Sequence, residues 1–354
     1  MVKNTLENQE KWSMDRRSFL KISGLLGLGL TSVGILPPLA EAVKFNKDTY
    51  KVSKTRLAMG TFVSMTLICP SKAKGEEAIG HAFEEIERLT LLMNRFDSAT
   101  AIAQLNKEGL LADAPPDISN VVSGALQFYR LSRGSFDISV KPVVDLFREN
   151  FNNGKFMPPP HRRLEEAIAL IGSDKIEIKN HMIRFKMPGM GITLDGIAKG
   201  YIVDRASEVL SKHGIKNHLI NAGGDIRAMG SGKDRKPWTI AIQDPQKKAK
   251  YPGIIHLTDG AVATSGNYEV FFDREKMFHH IVNPETGLSS NLNSSVSVLA
   301  KTTMAADALS TSLFVMDPPS STSFINSLSD TECLVISREG RKFRSAGWDK
   351  KSIT

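Results

Sequence analysis

The sequence is poor in cysteine, in basic clusters and in long apolar runs, and each shortage removes a class of function. Cys69 and Cys333 are the only 2 cysteines in 354 residues, and neither has a partner at metal-ligand spacing. A cysteine zinc site and a disulfide framework are therefore excluded. Two buried apolar thiols are expected, the alternative being one bridge formed in an oxidising compartment. The net charge of +8 is spread singly and in pairs. Without an arginine-rich stripe, an RNA-binding aromatic motif or zinc-finger spacing, nucleic-acid binding is not expected. The apolar run from Ile22 to Leu36 is shorter than the roughly 20 residues that a membrane-spanning helix needs. No repeat of fixed period, no Walker loop and no Gly-x-Ser-x-Gly elbow occurs.

What is present suits a globular protein that meets a polyanionic small molecule. Hydrophobic residues make up 41% and charged residues 24%, ordinary values for a chain with an ample core. The first residues read as an address. Asp15-Arg16-Arg17-Ser18-Phe19-Leu20-Lys21 matches the twin-arginine export pattern, the apolar run follows, and Ala40-Glu41-Ala42 forms a small-x-small cleavage site. A signal peptide over residues 1–42 is expected. It would hand the folded protein to the twin-arginine translocase and deliver a periplasmic chain starting near Val43. Folded export suits a protein loaded with cofactor before crossing. No cysteine lies near the cut, so lipid attachment there is excluded.

After a polar segment (43–54), alternation predicts one strand from Arg56 to Ile68, passing through Met59-Gly60-Thr61. Helical periods predict helices over Glu76–Met93, Ile118–Ser132, His161–Ile171, Tyr201–His213 and Met304–Val315. A segment containing Pro142 is expected to close around Leu146 and Phe147, and Lys175–Phe185 to form a hairpin. Strands are expected at Asn217–Ile220, Trp238–Gln243, Gly253–Leu257, Ala261–Thr264, Tyr268–Phe272, Ser294–Ala300 and Cys333–Ser337. Helices and strands intermix without a strict strand–helix–strand beat. This favours an α+β fold of mixed sheets layered with helices over a doubly wound one.

Two distant stretches stand out chemically. In Asp307-Ala-Leu-Ser-Thr311 the four-residue spacing would place the Asp307 carboxylate and the Thr311 hydroxyl on one helix face. An anionic and a neutral oxygen suit a hard cation such as Mg2+, which shares its shell with substrate phosphates. Alone, Asp307 is equally explained by the helix dipole, and Thr311 by a bond back to its own helix. In Thr193-Leu-Asp-Gly-Ile-Ala-Lys-Gly200, Lys199 stands at a predicted helix start that favours a phosphate. Gly196 there allows a close backbone approach, so its carbonyl can be a third metal ligand. Asn221-Ala-Gly-Gly-Asp225 is either a ligand cradle or a tight turn. Phe136 and Asp137 suit a nucleotide or, as readily, a core and a cap. One imidazole of His279-His280 is read as a phosphate or base contact, and Thr264-Ser265-Gly266 as a ligand-facing turn.

Together these stretches resemble the ApbE family of flavin transferases, over roughly Thr55 to Arg341. The ordered series is Met59-Gly-Thr, Asn94-Arg-Phe-Asp, Gly134-Ser-Phe-Asp, Gly196-Ile-Ala-Lys-Gly-Tyr, Gly223-Gly-Asp, Thr264-Ser-Gly, His280-Ile-Val-Asn-Pro-Glu-Thr-Gly and Asp307-Ala-Leu-Ser-Thr. The resemblance implies a T-fold-like architecture over residues 55–341, followed by a tail (342–354), with FAD in a cleft between subdomains. It implies Mg2+ on Gly196, Asp307 and Thr311. FAD contacts are implied from Met59, Phe96, Ser135, Phe136, Asp137, Thr193, Lys199 and His280, with Asp307, Lys199 and His280 catalytic. The implied reaction moves FMN from FAD to a threonine of an acceptor flavoprotein serving a respiratory or redox complex, and AMP departs. Asp307 and Asp195 are candidates to help deprotonate that threonine. FAD hydrolysis to FMN and AMP, or FAD binding without chemistry, are the alternatives. Thr193, Asp195, Phe96, Asn283 and Asn267 depart from the family's commoner residues, and none of these departures touches Asp307 or Thr311.

Overall fold

The computed structural model describes residues 41–44, 49–152, 159–246, 251–266, 279 and 281–353. Most of the expected signal segment, the expected strand Tyr268–Phe272, Asn267 and His280 lie outside these residues.

The framework is a nine-stranded antiparallel sheet whose strands lie side by side in the order in which they occur in the chain. They are β1 (Glu41–Lys44), β2 (Tyr50–Ala58), β3 (Thr61–Cys69), β4 (Asn217–Ala222), β5 (Asp225–Met229), β6 (Gly260–Gly266), β7 (Asn293–Ala300), β8 (Glu332–Ser337) and β9 (Lys342–Arg344). Alternation sorts their side chains between two layers. Val63, Met65, Leu67, Ile220, Ala263, Val298 and Val335 face a layer of helices. Ile226, Val262, Leu299, Leu334 and Ile336 face the opposite way. There they meet a small sheet formed by Trp238–Ala241, Ile254–Leu257 and Ser352–Ile353, together with the buried Trp348.

Three helices, α1 (Lys72–Leu92), α2 (Ala198–Lys212) and α3 (Thr303–Val315), pack side by side on the first face. α1 starts a turn before its expected Glu76, because Ser71 caps it by accepting from the Lys74 N–H. Its first buried position is Gly75, where a Cβ would lie 2.9 Å from Cys69 Sγ. A small residue there carries no hydrophobic signal, although it permits the contact. α3 is buried over most of its circumference. Its N-terminus is capped twice, by Thr302 and by Asp204 of α2, whose carboxylate accepts from Thr303 N and Met304 N at 2.9 Å each. The long excursion between β3 and β4 supplies further helices and a three-stranded sheet of Leu110–Leu111, Met182–Phe185 and Ile176–Lys179.

The α+β expectation matches this architecture, and one local expectation is corrected. The single strand expected from Arg56 to Ile68 is a hairpin, with Ala58 opposite Thr61 and a turn at Met59-Gly60. Both turn residues have positive φ, 52° and 72°, as a tight hairpin turn demands. Alternation runs unbroken through that turn, and methionine is not a turn signal, so the reversal was hidden. The segment containing Pro142 is the helix Lys141–Asn152, and the proline occupies its first turn, where no N–H is needed. β5 was missed behind the Gly223-Gly224 turn. The stretches placed outside the domain also contribute to the sheet, through β2 from Tyr50 onward and through β9, with Trp348 only 1% exposed. Cys69 and Cys333 are both free and buried, and burial pushes the Cys333 thiol up to about 12.

Candidate active site

One end of the sheet is built for close backbone approach. The Met59-Gly60 turn, the Gly223-Gly224 turn and the last residues of β6 gather there, because β2, β4 and β6 end where β3, β5 and β7 begin. A Cβ on Gly223 would lie 2.4 Å from Thr61 Oγ1, which locks these two turns together. Over this end sit the start of α2 and the middle of α3. Between them and the 135–144 and 281–284 segments opens a cleft that is partly open to solvent.

The segment leading into α2 is held from several sides. Asn106 clamps Ile192, donating to its carbonyl at 3.0 Å and accepting from its N–H at 2.6 Å. Thr193 N donates to the Ile138 carbonyl at 2.8 Å. Gly196 then passes so near α3 that a Cβ on it would lie 3.0 Å from Thr311 Oγ1 and 3.4 Å from Phe136. At Gly200 the two helices touch backbone to backbone: a Cβ would lie 2.4 Å from the Thr303 carbonyl oxygen. This contact lets Gly200 N donate to Asp307 Oδ2 at 3.0 Å. Lys199 Nζ lies 3.3 Å from Asp225 Oδ2.

Two buried carboxylates, Asp307 and Asp225, thus share the neighbourhood of one ammonium. Burial first and the Asp225 charge second hold the Asp307 carboxyl well above the usual carboxylate range, with Lys199 opposing them. Among the described residues, no group of three or more His, Cys, Asp or Glu has metal-holding geometry. A metal at this site would therefore be held by a mixed oxygen set.

Ser135, Phe136, Asp137, Thr193, Gly196, Lys199, Asp307 and Thr311, expected together from the sequence, do line this one cleft. Met59 and Phe96 do not line it. Met59 is half-buried in its turn against the main core. Phe96 is 61% exposed and lies between the guanidinium groups of Arg95 and Arg148, 4.3 and 4.4 Å from its ring centroid. His280 is outside the described residues. Its neighbour His279 is buried edge-on to Phe314 and bonds the Ser290 carbonyl at 2.8 Å.

Asp137 is largely spent on structure. It caps a short 3-10 turn and accepts from the backbone and hydroxyls of Ser139 and Ser173. The first amides of α2 are also engaged: Ala198 N bonds the Leu194 carbonyl, Gly200 N bonds Asp307 and Tyr201 N bonds the Ile197 carbonyl. The expected phosphate cradle of free N–H groups is therefore reduced, and the Lys199 side chain carries the positive charge. Sequence reasoning left residues 221–225 open between a ligand cradle and a tight turn, and missed the pairing of Asp225 with Lys199 and of Asp195 with Arg95 at 3.6 Å. It also missed the apolar wall of Val140, Val144, Ile281 and Val282. A dyad such as Lys199–Asp225 joins separate elements, so only the pattern of a glycine turn ending in a carboxylate could have pointed to it.

A family model described as the ApbE family matches residues 59–335. An FAD:protein FMN transferase of Haemophilus influenzae is 28% identical over 303 residues, spanning 81% of this chain and 86% of that protein. The crystal structure of the ApbE protein of Thermotoga maritima superposes with a TM-score of 0.78 at 27% identity, over 86% of this chain and all of that one. The flavin transferase ApbE of Vibrio cholerae gives 0.75 at 25% identity, over 86% and 99%.

Proposed function

Because this chain belongs to the ApbE family, we propose that it is an FAD:protein FMN transferase, moving FMN from FAD to a partner flavoprotein and releasing AMP. The observation that carries this reading is the convergence of Lys199, Asp225, Asp307, Thr311 and Gly196 on the floor of one cleft. That floor offers an ammonium for a dinucleotide's diphosphate and carboxylates for a cation that would accompany it.

Lys199, steadied by Asp225, meets the phosphate charge with its ammonium. The clamps on the segment before α2 fix the cleft wall in advance, so little reorganisation accompanies the reaction. The wall of Val140, Val144, Ile281 and Val282 excludes water from the reacting phosphorus. We take the attacking group to be a threonine hydroxyl of the acceptor. Its proton leaves toward Asp307 or toward Asp195, which lies at the cleft and is 51% exposed along its side chain.

The residues present also fit a divalent cation. Asp307, Thr311 and the Gly196 carbonyl offer an all-oxygen set, glycine at 196 leaves room beside the Thr311 hydroxyl, and two carboxylates, Asp307 and Asp225, are buried together at the cleft. Mg2+ held there would polarise the diphosphate and spread its charge in the transition state. The twin-arginine motif supports a periplasmic site of action, with a client in a respiratory or redox complex.

The test is to incubate the purified chain with FAD, Mg2+ and a threonine-bearing acceptor domain. Flavin fluorescence that stays on the acceptor through denaturing electrophoresis, with an FMN mass gain and AMP release, is expected. AMP without labelling would make the protein an FAD pyrophosphatase. FAD binding with no AMP would make it a storage module.

A further inference from the structure

The side chain of Thr311 has an orientation problem, and its solution lies on another element. A threonine hydroxyl has one proton, and it ligates a cation only through a lone pair, so that proton must point elsewhere. Threonines in helices commonly send it to the carbonyl four residues back. Here the Asp307 carbonyl accepts from Ser310 Oγ at 3.0 Å. Among the described residues, the one hydrogen-bond contact of Thr311 Oγ1 is Ser265 Oγ on β6, at 3.4 Å, long for such a bond.

One direction satisfies every acceptor in this chain. With the Ser310 proton on the Asp307 carbonyl, Ser310 accepts from Ser265, 2.8 Å away. Ser265 then accepts from Thr311. In that direction the Thr311 proton turns toward the sheet, leaving its lone pairs to the cleft. Both Oγ1 and Cγ2 of Thr311 face Gly196, at 3.0 and 3.1 Å from where a Cβ on that glycine would be. Ser310 is 1% exposed, so water does not substitute readily in the relay.

We propose that Ser265 is a positioning residue for the transfer site: by accepting the Thr311 proton in a relay that runs on through Ser310 to the Asp307 carbonyl, it presents the Thr311 hydroxyl to Mg2+ as an acceptor. This rests on the metal reading given above. Ser265 touches neither cation nor flavin in this role, and acts only through Thr311.

The test is calorimetric titration of Mg2+ into the full chain, with ADP supplying the diphosphate. Thr311→Val, Ser265→Ala and Ser310→Ala are compared with the unmodified protein, and each melting temperature is recorded. Ser265→Ala is expected to weaken Mg2+ binding about three- to tenfold, as loss of one orienting hydrogen bond does. The Mg2+ concentration needed for half-maximal transfer should rise by the same ratio. Ser310→Ala frees the Ser265 proton to turn toward Thr311, and a similar weakening is expected. It also serves as the test if Ser265→Ala does not fold. Unchanged Mg2+ affinity in Thr311→Val would overturn the metal assignment and the proposal together. Weakened binding in Thr311→Val but not in the serine variants would overturn the role of Ser265 alone. A lowered melting temperature with unchanged Mg2+ affinity would reduce both serines to packing.

Discussion

The floor of the cleft and its mouth hold charges by opposite means. On the floor, Asp307 and Asp225 are 6% and 1% exposed, and the distances that matter are set by backbone against backbone at Gly200. At the mouth, Asp195 pairs with Arg95, Arg95 with Asp145 and Asp145 with Lys141, beside the open ring of Phe96. Arg95 is itself only 6% exposed along its side chain, but its partners Asp145 and Asp195 are 38% and 51% exposed. Buried carboxylates keep their geometry in salt and cost much to alter, whereas partly exposed ones are screened and contribute little. The floor therefore suits a chemistry common to a family, and the mouth suits recognition that varies with the partner.

The sharpest way to break this contrast is on the floor. Asp307→Asn keeps an oxygen for the Gly200 N–H but removes the charge. Transfer should fall by about 10²-fold or more, as for loss of a transition-state-stabilising group, while the melting temperature in the absence of divalent ions does not drop. Initial rates of acceptor labelling and a thermal melt together decide this.

Gly200→Ala attacks the same floor through the backbone. Its Cβ would lie 2.7 Å from the Thr303 carbonyl carbon, and α2 and α3 must part. Denaturant unfolding should show a loss of about 3 kcal/mol or more. Gly80→Ala on α1, with nothing within 4 Å of its Cβ, should instead gain about 0.5–1 kcal/mol.

His218 on β4 sharpens the comparison by pH. It is fully buried, its Nδ1 donates to the Ile215 carbonyl at 3.0 Å, and its Nε2 accepts from Ser207 at 2.7 Å, which is the neutral tautomer. Burial lowers its pKa from 6.5 to about 4. The unfolded chain takes up the proton first as pH falls. The stability contributed by neutral His218 is therefore complete above pH 6.5 and lost as pH falls through about 4. The difference is about 3 kcal/mol in magnitude. Unfolding curves between those pH values should be flatter in His218→Gln.

The smallest effect belongs to the mouth. Asp195→Ala should change stability by less than about 1 kcal/mol, and that change should vanish in high salt. A loss of several kcal/mol would mean that mouth and floor are not distinct.

Much of the floor was legible because it is written in short-range spacing. The interval between Asp307 and Thr311 is a helical repeat, and Gly196 and Lys199 stand three apart in one motif. Helix cores were legible from their period, including Ile79, Phe83, Ile86 and Leu89. Partners set by tertiary packing were not. Asp225 reaches Lys199, Asp204 caps α3 and Ser265 meets Thr311 only after strands and helices have docked. Met59 shows a subtler limit: a left-handed methionine turn leaves the alternating pattern intact on both sides. The stacking of Phe96 between Arg95 and Arg148 was not legible either, because Arg148 comes from a distant helix.

The order of strands bears on how the molecule assembles. Most strands find a partner edge supplied by a nearby stretch of chain, but β4 must return to β3 across residues 70–216. Such distant closures are slow, because chain entropy is spent before any contact rewards it. That seam runs through the middle of the sheet beneath α1 and α2, and Lys199 comes from before it whereas Asp225 and Asp307 come from after it. A chain halted short of that closure would have intact hairpins but nowhere to seat a dinucleotide, so flavin capture itself would report that folding is finished.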